Sequence, residues 1–134
     1  MVALVAGGMA AGPQAGAEVR DLALACPADE VPAHGFADVG AADVHGRAIA
    51  CLVWWGLATG VAPGRFDPAG TLTRGQAASV VHRLLVRAGV AVPAAPPDAF
   101  DDDEGSVHEP AIDALAALGL LRGTGPRLVT PNDP

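Results

Sequence analysis

AIACLVWWGLATGVAPGRFDP, residues Ala48 to Pro68, returns 63 positions later as AIDALAALGLLRGTGPRLVTP, residues Ala111 to Pro131. Eight of the 21 aligned positions are identical: the Ala-Ile pair, one Leu, a Gly-Leu pair, one Gly and two prolines. His45 and His108 keep the same offset, and Phe36-Ala37-Asp38 matches Phe100-Asp101-Asp102 at an offset of 64. A register held through that many positions exceeds what shared composition produces. It predicts an internal repeat, in which each supersecondary unit buries its apolar face against a neighbour.

Each unit follows the same local pattern: an F-x-D element, a polar loop, then a short helix. Ile49, Leu52 and Val53 lie on one helical face in the first unit, as do Ile112, Leu115 and Ala116 in the second. Gly56 and Gly119 stand where a left-handed terminating residue is needed, and Pro110 suits a first helical turn. A turn-rich stretch follows, with Pro63-Gly64 and Asp67-Pro68. Thr73-Arg74-Gly75-Gln76 then has the form of a capping box. The helix it opens carries Ala77, Val80, Val81, Leu84 and Ala88 as its expected apolar stripe, with Gly89 as its stop. Val90 to Asp98 is a proline-rich connection that excludes a continuous helix. The fold expected is mainly α, with helix–loop–helix repeats and loop-rich connections. Its divisions are an N-terminal segment (18–35), a first repeat (36–89), a Pro/Ala linker (90–99) and a truncated second repeat (100–134).

The chain has 134 residues and a formal net charge of −7, with all eight basic residues arginine. Scattered arginines on an acidic chain argue against nucleic acid, which requires a basic stripe, and against an anionic membrane surface. Residues 1–17 read as the remnant of an export signal. Met1 to Ala11 is apolar and uncharged, too short to span a bilayer, and Ala15-Gly16-Ala17 fits small-x-small cleavage. The alternative is an Ala/Gly tail. In an exported chain the even cysteine count predicts a Cys26–Cys51 disulfide, worth about 3.5 kcal/mol on the chain-entropy model; two buried thiols are the other reading.

These elements, in order and at these distances, resemble the S-layer homology domain. They are F-x-D-V (Phe36 to Val39), His45, Ala48-Ile49, Gly56-Leu57 with Gly60, Gly64-x-Phe66-x-Pro68, and Thr73-Arg74-x-Gln76. The Gly-Gln form of the last motif and the W-W-G-L segment are similar to the actinobacterial branch. The resemblance covers about 100 residues, Phe36 to Pro131. It implies non-covalent attachment of an exported protein to cell-wall polysaccharide, often pyruvylated, with a secreted, wall or cell-surface location. It maps ligand contact onto Arg74, Asp38 and Asp102, with Gln76 replacing the family's glutamate in the same motif. Gly46 replaces a tryptophan that usually follows the histidine.

Arg74 also stands out on physical grounds. A cation in the first turn of a helix is opposed by the helix dipole, but with free amides beside it a guanidinium makes a cradle for a carboxylate. An ion pair to Asp38 or Asp67 is the alternative. Trp54 and Trp55 point about 100° apart on a helix, so at most one faces a sugar. Core packing is assigned to Trp55, and Trp54 is the candidate glycan stacker. Asp101 to Glu104 with Glu109 form either a hard-cation cluster or a solvated acidic loop, with Ser106 and Glu109 capping the next helix. The chain lacks nucleophile-elbow, metalloprotease and phosphate-loop motifs, so no catalytic residue, cofactor or metal is assigned. Two other readings compete: a fragment of a larger secreted hydrolase or adhesin, and a self-associating protein-interaction module without glycan binding.

Overall fold

A computed structural model describes residues 25–40 and 42–134. The export-signal reading of residues 1–17 lies outside the described residues. Among those residues the chain is mainly α, with three helices, no strands and long ordered loops between them. Helix α1 spans Gly46–Trp54, α2 Arg74–Arg87 and α3 Glu109–Ala117. No described helix is long and apolar enough to cross a membrane.

The helix boundaries follow the local chemistry. Thr73 and Gln76 close a reciprocal box: the Thr73 amide donates to Gln76 Oε1 (3.0 Å) and the Gln76 amide donates to Thr73 Oγ1 (3.3 Å). Gly56 and Gly119 follow α1 and α3 at φ of 69° and 71°, a conformation that costs a side-chain-bearing residue energy. Pro110 sits in the first turn of α3, where no intrahelical donor is lost. The expected Ser106–Glu109 cap forms differently. The Ser106 hydroxyl accepts from the His108 amide, and Glu109 Oε2 accepts from the Gly105 amide, because His108 and not Ser106 is the capping residue.

The two units share a backbone scaffold. In the first, the Ala37 amide donates to the Gly64 carbonyl; in the second, the Asp101 amide donates to the Arg127 carbonyl, both at 2.9 Å. Paired bridges Ala62–Arg65 and Gly125–Leu128 pinch the two loops. Asp67 and Thr130, equivalent positions, both adopt positive φ (63° and 47°). Gly60 and Gly123 are equivalent as well. A Cβ on either would lie 2.8 Å from a ring carbon of Phe36 or Phe100 respectively, so the repeated Phe and the repeated Gly fit one another.

The main core belongs to the second unit, where Ala78, Phe100, Ile112, Leu115 and Val129 cluster, with Leu85 and Leu121 against them. Burying Ile112 alone contributes about 2–3 kcal/mol. Helix α2 packs on α3, but not with the expected stripe. Its buried residues are Gly75, Ala78 and Ser79, while Val81 and Leu84 are exposed. Small side chains permit close approach of the two helix axes, and the rotation that brings them inward turns the larger residues out.

In the first unit α1 is closed by the N-terminal segment. Cys26 and Cys51 are disulfide-bonded with Cα atoms 5.8 Å apart. Trp55 Nε1 donates to the Ala25 carbonyl (2.7 Å), and Arg47 Nη2 donates to the Cys26 carbonyl (2.9 Å). Val39, Ile49, Ala50 and Leu57 are buried there.

Candidate functional site

The Thr-Arg motif meets the second unit where the start of α2 lies against the loop after α3. The Arg74 amide donates to the Asp133 carbonyl (2.8 Å) and the Gly75 amide to the Pro131 carbonyl (2.9 Å). Arg74 Nε donates to the Val129 carbonyl (2.9 Å) and Nη2 to the Arg122 carbonyl (2.8 Å). Gly75 has no room for a side chain, since a Cβ would stand 2.8 Å from His108 Cδ2 and 3.1 Å from the Pro131 oxygen. Ser79 Oγ lies 2.7 Å from His108 Nδ1; the serine is buried, so this pair ties α2 to the start of α3.

Two sequence expectations change at this seam. The amides that open α2 are not free for an anion: those of Arg74 and Gly75 reach the second loop, and that of Gln76 bonds the Thr73 hydroxyl. Arg74 also pairs with neither Asp38 nor Asp67. Its reach carries it across to the second unit, where backbone carbonyls converge on two of its nitrogens. Nη1 has no hydrogen-bond partner among the described residues.

The F-x-D aspartates have matching places. Asp38 accepts from the Phe66 amide through Oδ1 (2.9 Å) and from the Asp67 amide through Oδ2 (2.7 Å). Asp102 accepts from the Val129 and Thr130 amides, both at 2.8 Å. Each carboxylate thus clamps two successive amides of its loop. The Phe66 amide chiefly holds Asp38 below the ordinary carboxylate range, and the Val129 amide does the same for Asp102. Arg65 lies 3.8 Å from Asp38 on the solvent side. In the second unit Arg127 Nε donates to Asp101 at 2.6 Å, which lowers the Asp101 pKa and raises that of Arg127.

Around the second loop the fold therefore gathers Arg74, Gln76 and Asp102. Asp38 belongs to the first loop, and Trp54 lies on α1, half-buried, edge-on to Trp55 with ring centroids 5.7 Å apart. The acidic run is divided among separate tasks: Asp101 pairs with Arg127, Asp102 clamps the loop and Asp103 is buried. Among the described residues no three His, Cys, Asp or Glu side chains stand together as a metal set.

The acidic run was expected to be a cation cluster or a solvated loop, but Asp103 turns into the interior, and Asp113, which the sequence reading did not single out, is buried as well. Asp103 is 2% exposed, and its Oδ2 has no hydrogen-bond partner. Asp113 is also buried, with Oδ1 accepting from the Ala99 amide (2.9 Å). Burial, followed by the charge of Asp113, pushes the Asp103 carboxyl up to about 6. Their counterparts in the first unit are Val39 and Ala50, so comparison of the two repeats carried the only available signal. No protein-family model matches this chain, and no curated protein matches it.

Proposed function

We propose that this chain is a non-catalytic repeat module of the S-layer-homology type, which holds an exported polypeptide at cell-wall polysaccharide. The observation that carries the reading is the seam at Arg74. There the arginine of the Thr-Arg motif joins one unit to the loop of the next, and its Nη1 remains available for an acidic sugar substituent. The polymer lies along this seam, with Arg74 as its anion contact and Trp54 as a stacking surface on the first unit. Asp38, Asp102 and Gln76 act as positioning residues, because their polar atoms hold the loops and the helix start. The Cys26–Cys51 disulfide supports an oxidising compartment, in keeping with export.

Co-sedimentation with purified cell walls, intact and acid-stripped of secondary polymer, tests the proposal. The native chain sediments with intact walls only. Trp54→Ala and Arg74→Lys weaken sedimentation while keeping a cooperative melt, Lys retaining charge without the two-pronged geometry. Equal sedimentation with stripped walls, or folded variants that bind as the native chain does, overturns the reading.

A further inference from the structure

The segment that leads towards α3 is held at successive points. The Ala99 amide donates to Asp113 Oδ1 (2.9 Å), and Phe100 is buried in the main core. Asp101 pairs with Arg127, and Asp102 clamps the Val129 and Thr130 amides. Asp103 ends the run, 2% exposed, its Oδ2 without a hydrogen-bond partner among the described residues. Nothing in the scaffold requires an acid there. The first unit has the same clamp, bridge and turns, yet Val39 and Ala50 stand in the places of Asp103 and Asp113, and both are buried. A buried valine is a permanent plug. A buried carboxyl is a plug only while it keeps its proton, because an enclosed charge costs far more than a neutral acid.

The charges that act most on Asp103 are those of Asp113 and Glu109 from α3 and of Asp102 beside it, all acidic. Arg127 of the second loop is committed to Asp101 and Asp98, and His108 at the head of α3 to Ser79 of α2. We infer that Asp103 is a proton-dependent latch: protonated, it seals residues 99–103 against α3; ionised, it lets that segment swing out and loosens the seat of Arg74. The route between them is short. Asp102, the neighbouring residue, positions Val129, whose carbonyl accepts from Arg74 Nε (2.9 Å). When the segment moves, the Asp102 clamp moves with it. The direction with pH follows from burial. The Asp103 carboxyl is pushed up to about 6 from an ordinary 3.8, so closure is complete below 3.8 and is lost as pH rises through about 6. The latch operates in the chain alone, with or without a bound glycan, and the first unit, plugged by Val39, is its internal control.

Hydrogen exchange of the full chain, expressed as protection factors to remove the intrinsic effect of pH, reads the latch. Between pH 4 and pH 7.5 the protection of the Ala99 and Val129 amides and of Arg74 Nε–H should fall about fiftyfold. The Ile49 amide in α1 should keep its protection. Asp102 stays ionised across this window, since its pKa is lowered, so the clamp itself does not titrate. Asp103→Asn keeps the shape without the ionisation and should abolish the fall; because it retains His108, the difference between the two chains reads Asp103 alone. Asp103→Val, which copies the first unit, makes the same test should the asparagine variant not fold. Constant protection in the native chain, an equal fall in the folded variant, or an equal fall at Ile49 overturns the inference.

Discussion

The first and second units have one backbone and two different fates. In the second, α2 docks, Val129 and Ile112 are fully buried, and the loop carbonyls are saturated. In the first, a disulfide-linked segment covers part of α1, and the loop faces solvent with Phe66 against Phe36, ring centroids 5.2 Å apart. Both loops nonetheless adopt the same turns. Loop shape is therefore set within each unit by the aspartate clamp and the Phe–Gly contact. Docking reads that shape and does not create it.

The sharpest way to break the comparison is to empty equivalent core positions. Ile112→Ala should cost about 4 kcal/mol, since its site is fully enclosed, while Ile49→Ala should cost about 2 kcal/mol. Urea denaturation of both variants measures the difference, and equal losses would erase the distinction between the cores. Next in size, reduction of Cys26–Cys51 should remove about 3.5 kcal/mol from the first unit. Amide exchange should then accelerate in α1 while α3 keeps its protection.

Asp103→Val installs the first unit's residue in the second. The Asp103 carboxyl is raised in the folded chain, so its stabilising contribution is complete below the ordinary value of 3.8. It is lost as pH rises through about 6. The valine variant should gain stability relative to the native chain as pH rises from 4 to 7.5, by an amount on the order of 2–3 kcal/mol. A pH-independent gain would contradict the buried-acid account.

The smallest effects belong to the clamps. Asp102→Ala should lower the melting temperature more than Asp38→Ala, because Asp102 positions the buried Val129. Both aspartates have lowered pKa values, so their contributions are present above the ordinary carboxylate value and disappear as pH falls through the depressed one. A larger loss from Asp38 would reverse the ranking of the units.

Much of the scaffold is legible in the linear order of residues. The Thr73–Gln76 box, the stops after α1 and α3 and the coil at 90–99 arise from local chemistry, the repeat register from comparing the chain with itself, and the Cys26–Cys51 pairing from the even cysteine count. The inward face of α2 was not legible, because hydrophobicity marks Val81 and Leu84 while the neighbour demands small residues. Gly75 was the available clue: a glycine in a helix's first turn costs propensity unless something must come close. At the candidate site, Arg74 was identifiable but its partners were not. They are backbone carbonyls more than 45 residues away, and carbonyls leave no mark in a sequence.

The aspartate clamp has a consequence for variation. Gly64 in the first loop is matched by Arg127 in the second, and both are left-handed at φ of 70° and 51°. Asp67 and Thr130 likewise share one conformation with unrelated side chains. Because a carboxylate from outside the loop holds its path, the loop's own residues are released from encoding it. The tip becomes a frame whose decoration can drift from glycine to arginine, or from Arg65 to Leu128, while its outline is inherited unchanged.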